Sequence, residues 1–242
     1  LAIIVLQSCP IAGAVANTGF SLKERSIGEK QSFLENINIT LLQDEPPHEK
    51  ITCFDVSENG SVAVSSVNGN QKTICIYSKT GVFQYGYSLY SYGKIGIGWN
   101  NETELILYFV RAKLAVIVNV SGEVREIYEI LNTIENNDYW NHTVFAKKRE
   151  VNGVEYRLQN HTWILNFLSS SYSQITIKTI DGRLYTFYSA GKNYLISSFI
   201  TILLFILLLL IGCIVAITIQ CNQGIIRGRS CQSGDGSVID EG

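Results

Sequence analysis

From Leu195 to Ile219 the chain reads LISSFITILLFILLLLIGCIVAITI, without one charged residue. At ~1.5 Å per residue a helix of this run is about 37 Å long, enough to cross a hydrocarbon core of about 30 Å with some tilt. A helix satisfies its own backbone polar groups in lipid, and a soluble domain has no place for so uniform an aliphatic surface. The run, rimmed by Tyr194 and Gln220, therefore predicts a transmembrane helix over residues 194–220. Beyond it, residues 221–242 are rich in Gly and Ser and lack periodicity, so they read as a disordered tail.

The other apolar end, LAIIVLQSCPIAGAVA, is shorter and is broken by Pro10 and Gly13. It closes on Ala14-Val15-Ala16, a small-x-small pattern of the signal-peptidase type, so residues 1–16 read as a signal peptide or an apolar anchor. Leu6-Gln7-Ser8-Cys9 offers a third, lipoprotein-like reading. All three put the middle of the chain outside the cytoplasm. Arg183 and Lys192 precede the apolar helix and Arg227 and Arg229 come after it, so the positive-inside rule is balanced and orientation rests on the N-terminal segment; the alternative, if that segment is a misread fragment, is a tail-anchored protein with its domain in the cytoplasm. The expected location is the cell membrane, with a single pass, an extracytoplasmic domain and a cytoplasmic tail. The net charge of −2 and the absence of a basic block exclude a nucleic-acid surface, which needs a lysine/arginine footprint.

Residues 50–190 alternate in hydropathy with period two and are punctuated by Asn-Gly, Asp-Gly and Ser-Gly, the pattern of short strands joined by tight turns. Aligned on the turns, they repeat. ICIYSKTGVF (74–83), AVIVNVSGEV (115–124) and ITIKTIDGRL (175–184) each carry a strand, then a turn closing on Gly81, Gly122 or Gly182, with Ile76, Ile117 and Ile177 five residues before the glycine. A second hairpin precedes each: it turns at Asn59-Gly60 and Asn152-Gly153 in the outer repeats, and WNNETELIL (99–107) fills that place in the middle one. Four strands in about 40 residues is the size of a propeller blade. The fold class is all-β, a propeller-like array of about three four-stranded repeats plus the C-terminal helix; a β-sandwich is the alternative. Three repeats in an open arc would leave two apolar faces bare. Residues 17–49 precede the repeats, and FLENINITLLQ (33–43) within them is the best candidate for completing strands. A weak helical signal lies near Tyr128–Asn136, and an insertion spans 131–142.

The runs HEKITCFDVSENGSVAV (48–64), KTICIYSKTGVFQYGY (72–87) and GIGWNNETELILYFVRAKLAVIVNVSGEV (96–124) resemble a group of bacterial single-pass membrane proteins with propeller-like repeats of the NHL and YVTN type. The resemblance covers roughly residues 48–190 and the helix after them. That group has no assigned function, so the resemblance implies architecture alone.

Chemistry-bearing patterns are sparse. Cys53 and Cys75 share the β domain, either as two buried thiols or as a disulfide, and no C-x-x-C is present. His142 and His161 sit in echoing Asn-His-Thr triplets but lack an adjacent carboxylate pair, so neither a metal nor a cofactor is expected. No nucleophile motif, P-loop or paired carboxylates appear, and no enzyme is expected. Six Asn-x-Ser/Thr triplets mark a glycosylated surface only in a secreted eukaryotic chain. The aromatic residues are more suggestive. Phe83, Tyr85 and Tyr87 alternate along one strand, which puts them on one face, and Tyr90 and Tyr92 continue the ladder. With Tyr139 and Trp140 from the insertion they are the candidate partner-binding residues; filling between sheets is the alternative. The function expected is a membrane-anchored binding module for a protein or envelope component, with homo-oligomers and the lipid bilayer as further partners. The alternatives are an envelope hydrolase assembled only in the fold, around His142 and His161, and a structural subunit docking on a membrane complex.

Overall fold

A computed structural model describes residues 18–161, 171–190 and 192–232. The chain separates into two compact units, dividing between Gly191 and Lys192. The proposed signal segment and the last residues of the tail lie outside the described residues.

The first unit is three antiparallel sheets. The first sheet is the meander β3 (Ile51–Val56), β4 (Val62–Asn68), β5 (Gln71–Tyr77) and β6 (Phe83–Tyr90), joined at β6 by the short β2 (Thr40–Leu42). The second is β7 (Ile95–Asn101), β8 (Glu104–Phe109), β9 (Leu114–Asn119) and β10 (Val124–Ile130), joined at β10 by β1 (Leu22–Glu24). The third comprises β11 (Lys148–Val151), β12 (Val154–Gln159), β13 (Gln174–Lys178) and β14 (Leu184–Ser189). Each repeat is thus one four-stranded sheet. The segment before the repeats does add edge strands, but of 33–43 only Thr40–Leu42 pairs as a strand. Residues Ile27–Asn36 form a helix, α1, started by the Ser26–Glu29 capping box that the apolar pattern overshadows. Near 128–136 the chain is strand β10, and a short helix, α2 (Ile134–Tyr139), begins only after it and runs into a π-helical turn, Trp140–Val144.

The turns have one construction. In Ser57–Ser61, Ser78–Val82, Asn119–Glu123 and Thr179–Arg183 the fourth-residue N–H donates to the first residue's C=O, and the first residue's N–H donates to the fifth residue's C=O. The fourth residue is Gly60, Gly81, Gly122 or Gly182, at φ 90, 82, 80 and 82°, a conformation open to glycine because it has no Cβ. Three of the Asn-x-Ser/Thr triplets serve these and similar turns. The side-chain oxygens of Asn59, Asn101 and Asn119 accept from the N–H of Ser61, Thr103 and Ser121, so these triplets are Asx turns.

Alternate residues feed alternate cores. Along β5, Ile74 and Ile76 pack toward the second sheet while Cys75 and Tyr77 pack toward the third. Along β8, Leu105, Leu107 and Phe109 face the first sheet and Ile106 and Tyr108 face away from it. The packing order is therefore third, first, second, with the first sheet buried on both faces. The bare-face problem has two different solutions. The outer face of the second sheet is covered by Phe20, Val144 and the aromatic Tyr139 and Trp140. The outer face of the third is polar, carrying Glu155, Arg157, Thr176 and Lys178. Three packed sheets, rather than the two of a sandwich, are observed.

The second unit is one helix, α3, Lys192–Gln232. It continues beyond residue 220, where the sequence reading began a disordered tail; Gly224 and Gly228 do not end it. Within it Ile202–Gln220 has a mean hydropathy of 3.3 and is long and apolar enough to cross a membrane. Its leucines are exposed, Leu208 by 66%.

Candidate functional site

The aromatic ladder does not keep to one face. The register of β6 on β5 jumps from Tyr85 opposite Ile76 to Phe83 opposite Tyr77, leaving Gln84 as a bulge. The bulge sends Phe83 to the core shared with the third sheet, whereas Tyr85 and Tyr87 face the core shared with the second. Tyr87 is fully buried, and its hydroxyl donates to the Asn119 carbonyl at 2.6 Å. Tyr139 and Trp140 pack against Phe20, at centroid distances of 4.6 and 4.7 Å. These five side chains fill space between elements. Tyr90 and Tyr92 are different: they are 74% and 84% exposed.

Tyr90 ends β6 and Tyr92 lies in the β6–β7 loop, at the end of the sheets opposite the glycine turns. Ser91 N–H donates to the Asn70 carbonyl at 3.0 Å, tying this loop to the β4–β5 loop. At Gly93 a Cβ would meet the Cβ of Arg111 at 3.0 Å, so a bare backbone lets the β6–β7 and β8–β9 loops approach. A cleft opens on each side of the loop. One, of about 360 Å³, lies between α1 and the loops and is lined by Phe33, Ile37, Tyr90, Tyr92, Phe109 and Arg111. The other, of about 340 Å³, is lined by Lys50, Lys72 and Lys94 together with Thr52, Asn70 and Tyr92. Burial, and then the charge of Lys50, hold the Lys72 ammonium below the usual lysine range. Lys94 Nζ lies 4.5 Å from the ring centre of Phe145. Among the described residues none of these three lysines pairs with a carboxylate.

A second polar constellation lies where the first strands of the three sheets meet. Asp55 of β3 accepts from Arg149 Nε of β11 at 2.8 Å and from the Trp99 N–H of β7 at 2.9 Å. The guanidinium also donates to the Thr143 carbonyl and lies 5.8 Å from the ring of Phe54. With side chains 15% and 19% exposed, this pair joins all three sheets and offers little room to a ligand.

The histidines lie on separate elements, His142 in the π-helical turn and His161 just after β12. His142 pairs with Asp138 at 2.9 Å, and the ring of His161 bonds the hydroxyl of Ser173 at 2.8 Å. Ser173 is 1% exposed and also accepts from the His161 N–H, so its hydroxyl is enclosed rather than presented to a substrate. Among the described residues no three His, Cys, Asp or Glu side chains gather as a metal set. Cys53 and Cys75 are free thiols in different cores, which settles their alternative against a disulfide. Burial pushes them up to about 11 and about 12.

No family model matches the chain, and no curated protein does. Among solved structures, one titled "Streptogramin B lyase structure" is 14% identical over 63% of this chain, with a TM-score of 0.26. The chain spans 45% of that structure's length. Likeness at that level shows no shared activity.

The sequence reading missed Lys50, Lys72, Lys94 and Arg111. A signal for them existed. A meander turns at alternate ends, so sorting its loops into odd and even would have put Lys94 and Arg111 beside Tyr92.

Proposed function

We propose that the chain is a membrane-anchored, extracytoplasmic β-repeat binding module, related in architecture to the bacterial single-pass group it resembles. The bound surface is the end carrying Tyr90, Tyr92, the lysine cleft and Arg111. The observation that carries this reading is the exposure of two tyrosines beside cations without carboxylate partners, in a domain whose other aromatic residues are mostly packed. A flat apolar body with a polar tip next to an unpaired cation suits recognition of an anionic or amphipathic partner. The test is photo-crosslinking in intact cells from a benzophenone side chain at position 92, compared with one at position 180 among the glycine turns. The expected result is a discrete adduct from position 92 that disappears with Arg111→Glu. Adducts equally strong from both positions, or none from position 92, would refute the assignment.

A further inference from the structure

The two ends of the β domain differ in charge. The turns Ser57–Ser61, Ser78–Val82, Asn119–Glu123 and Thr179–Arg183, with the β7–β8 turn, carry Glu58, Glu102, Glu123 and Asp181 against Lys79 and Arg183. The opposite end carries Lys50, Lys72, Lys94, Arg111 and Lys113 in or beside the loops that form its clefts. The carboxylates at this end have partners of their own: Glu49 accepts from Asn68 Nδ2 at 3.2 Å, Glu45 pairs with His48 at 2.7 Å, and Glu129 lies 3.9 Å from Arg25. A nearly neutral chain has thus sorted its charges along the strand direction, basic at one end and acidic at the other.

The chain also leaves the domain from the basic end. Strand β14 finishes there: Ser189 is opposite Gln174, and Ala190 N–H donates to the Ser173 carbonyl at 2.7 Å. Only Ala190 and Gly191 stand before Lys192, where the helix begins, and the apolar run starts at Leu195. At no more than ~3.6 Å per residue, the covalent link allows this end little distance from a bilayer entered by that run.

Resting on the membrane-anchored reading above, we infer that the partner of this surface is the anionic headgroup layer of the membrane in which the chain is anchored. Lys50, Lys72, Lys94 and Arg111 meet lipid phosphates, and Tyr90 and Tyr92 sit at the headgroup level, where amphipathic rings are favoured. The acidic turns point the other way, so the same charge separation repels the opposite end from an anionic surface.

The test uses the full chain in nanodiscs of phosphatidylcholine alone or of phosphatidylcholine mixed with phosphatidylglycerol. Amide hydrogen exchange is followed at Ser91–Lys94, at Arg111–Lys113 and, as an internal reference, at Thr179–Arg183. Exchange at the first two should slow about fivefold in the anionic discs, the scale of one basic contact with such a surface. The slowing should fade with added salt, because charge attraction at a surface is screened. In the Lys72→Glu/Lys94→Glu/Arg111→Glu variant it should be absent, with exchange at Thr179–Arg183 unchanged as proof of folding. Equal exchange in both kinds of disc would overturn the inference. So would slowing caused by inositol hexakisphosphate in phosphatidylcholine discs but not by anionic lipid, which would make this a site for a soluble anion. A chain that is not retained in any disc refutes the anchor itself, an outcome distinct from retained chain with unresponsive loops.

Discussion

Replacing Asp55 by Ala removes a carboxylate of β3 that bonds residues of β7 and β11. It deprives Arg149 Nε and the Trp99 N–H of acceptors at 2.8 and 2.9 Å. Breaking a well-buried pair costs ~3–5 kcal/mol, because the remaining charge is left without a partner. Arg149 keeps the Thr143 carbonyl, and side chains 15% and 19% exposed admit some water, so the lower part of that range applies. With the lost Trp99 hydrogen bond included, the expected loss is about 3 kcal/mol, a large share of a domain stability of about 5–15 kcal/mol. The assay is urea unfolding of the full chain in mild detergent, monitored by tryptophan fluorescence. Arg149→Met and the Asp55→Ala/Arg149→Met double variant complete the cycle. The double variant should be less destabilised than the sum of the singles by at least about 1.5 kcal/mol. A loss below about 1 kcal/mol for Asp55→Ala, or additive single effects, would refute the claim that this pair joins the sheets.

The packing sets other expectations. In Gly96→Ala the new Cβ would lie 2.2 Å from Val144 Cγ1, a buried atom of the cover on the second sheet, so the variant should lose ~1–3 kcal/mol and regain much of it when combined with Val144→Ala. Tyr87→Phe removes the hydroxyl bond to Asn119 and should cost about 1 kcal/mol in the same unfolding assay. Cys53 and Cys75 should resist alkylation at neutral pH until the chain unfolds. Their folded pKa values lie above the ordinary 9.0, so the stability they contribute is intact below pH 9 and declines as pH rises toward about 11 and 12. Thiols modified as fast in the native chain as in urea would contradict their burial.

The repeat was legible because it is written in local chemistry. Gly81, Gly122 and Gly182 close turns that a side chain would strain, and Ile76, Ile117 and Ile177 keep the period-two phase of their strands. The order of the sheets was not, since third-first-second packing depends on contacts far apart in sequence, such as Ile51 with Tyr172. Nor was the split of the ladder. One extra residue, Gln84, turns Phe83 to the opposite face, and nothing in FQYGYSLY announces a bulge. The same strand shows why only part of the candidate site was readable: exposure distinguishes Tyr90 from Tyr87, and exposure is a property of neighbours. Tyr139 and Trp140 likewise looked like loop aromatics fit for recognition, yet they cover a sheet face that the open array leaves without a partner sheet.

An anchored module facing outward is tested most simply by protease accessibility on intact cells, with one tag near Asn17 and another after Gly242. The β domain and the tag near Asn17 should be cut from outside while the C-terminal tag is protected until the membrane is broken. Protection of the domain in intact cells, with cleavage only after lysis, would place it in the cytoplasm and contradict an extracytoplasmic binding module.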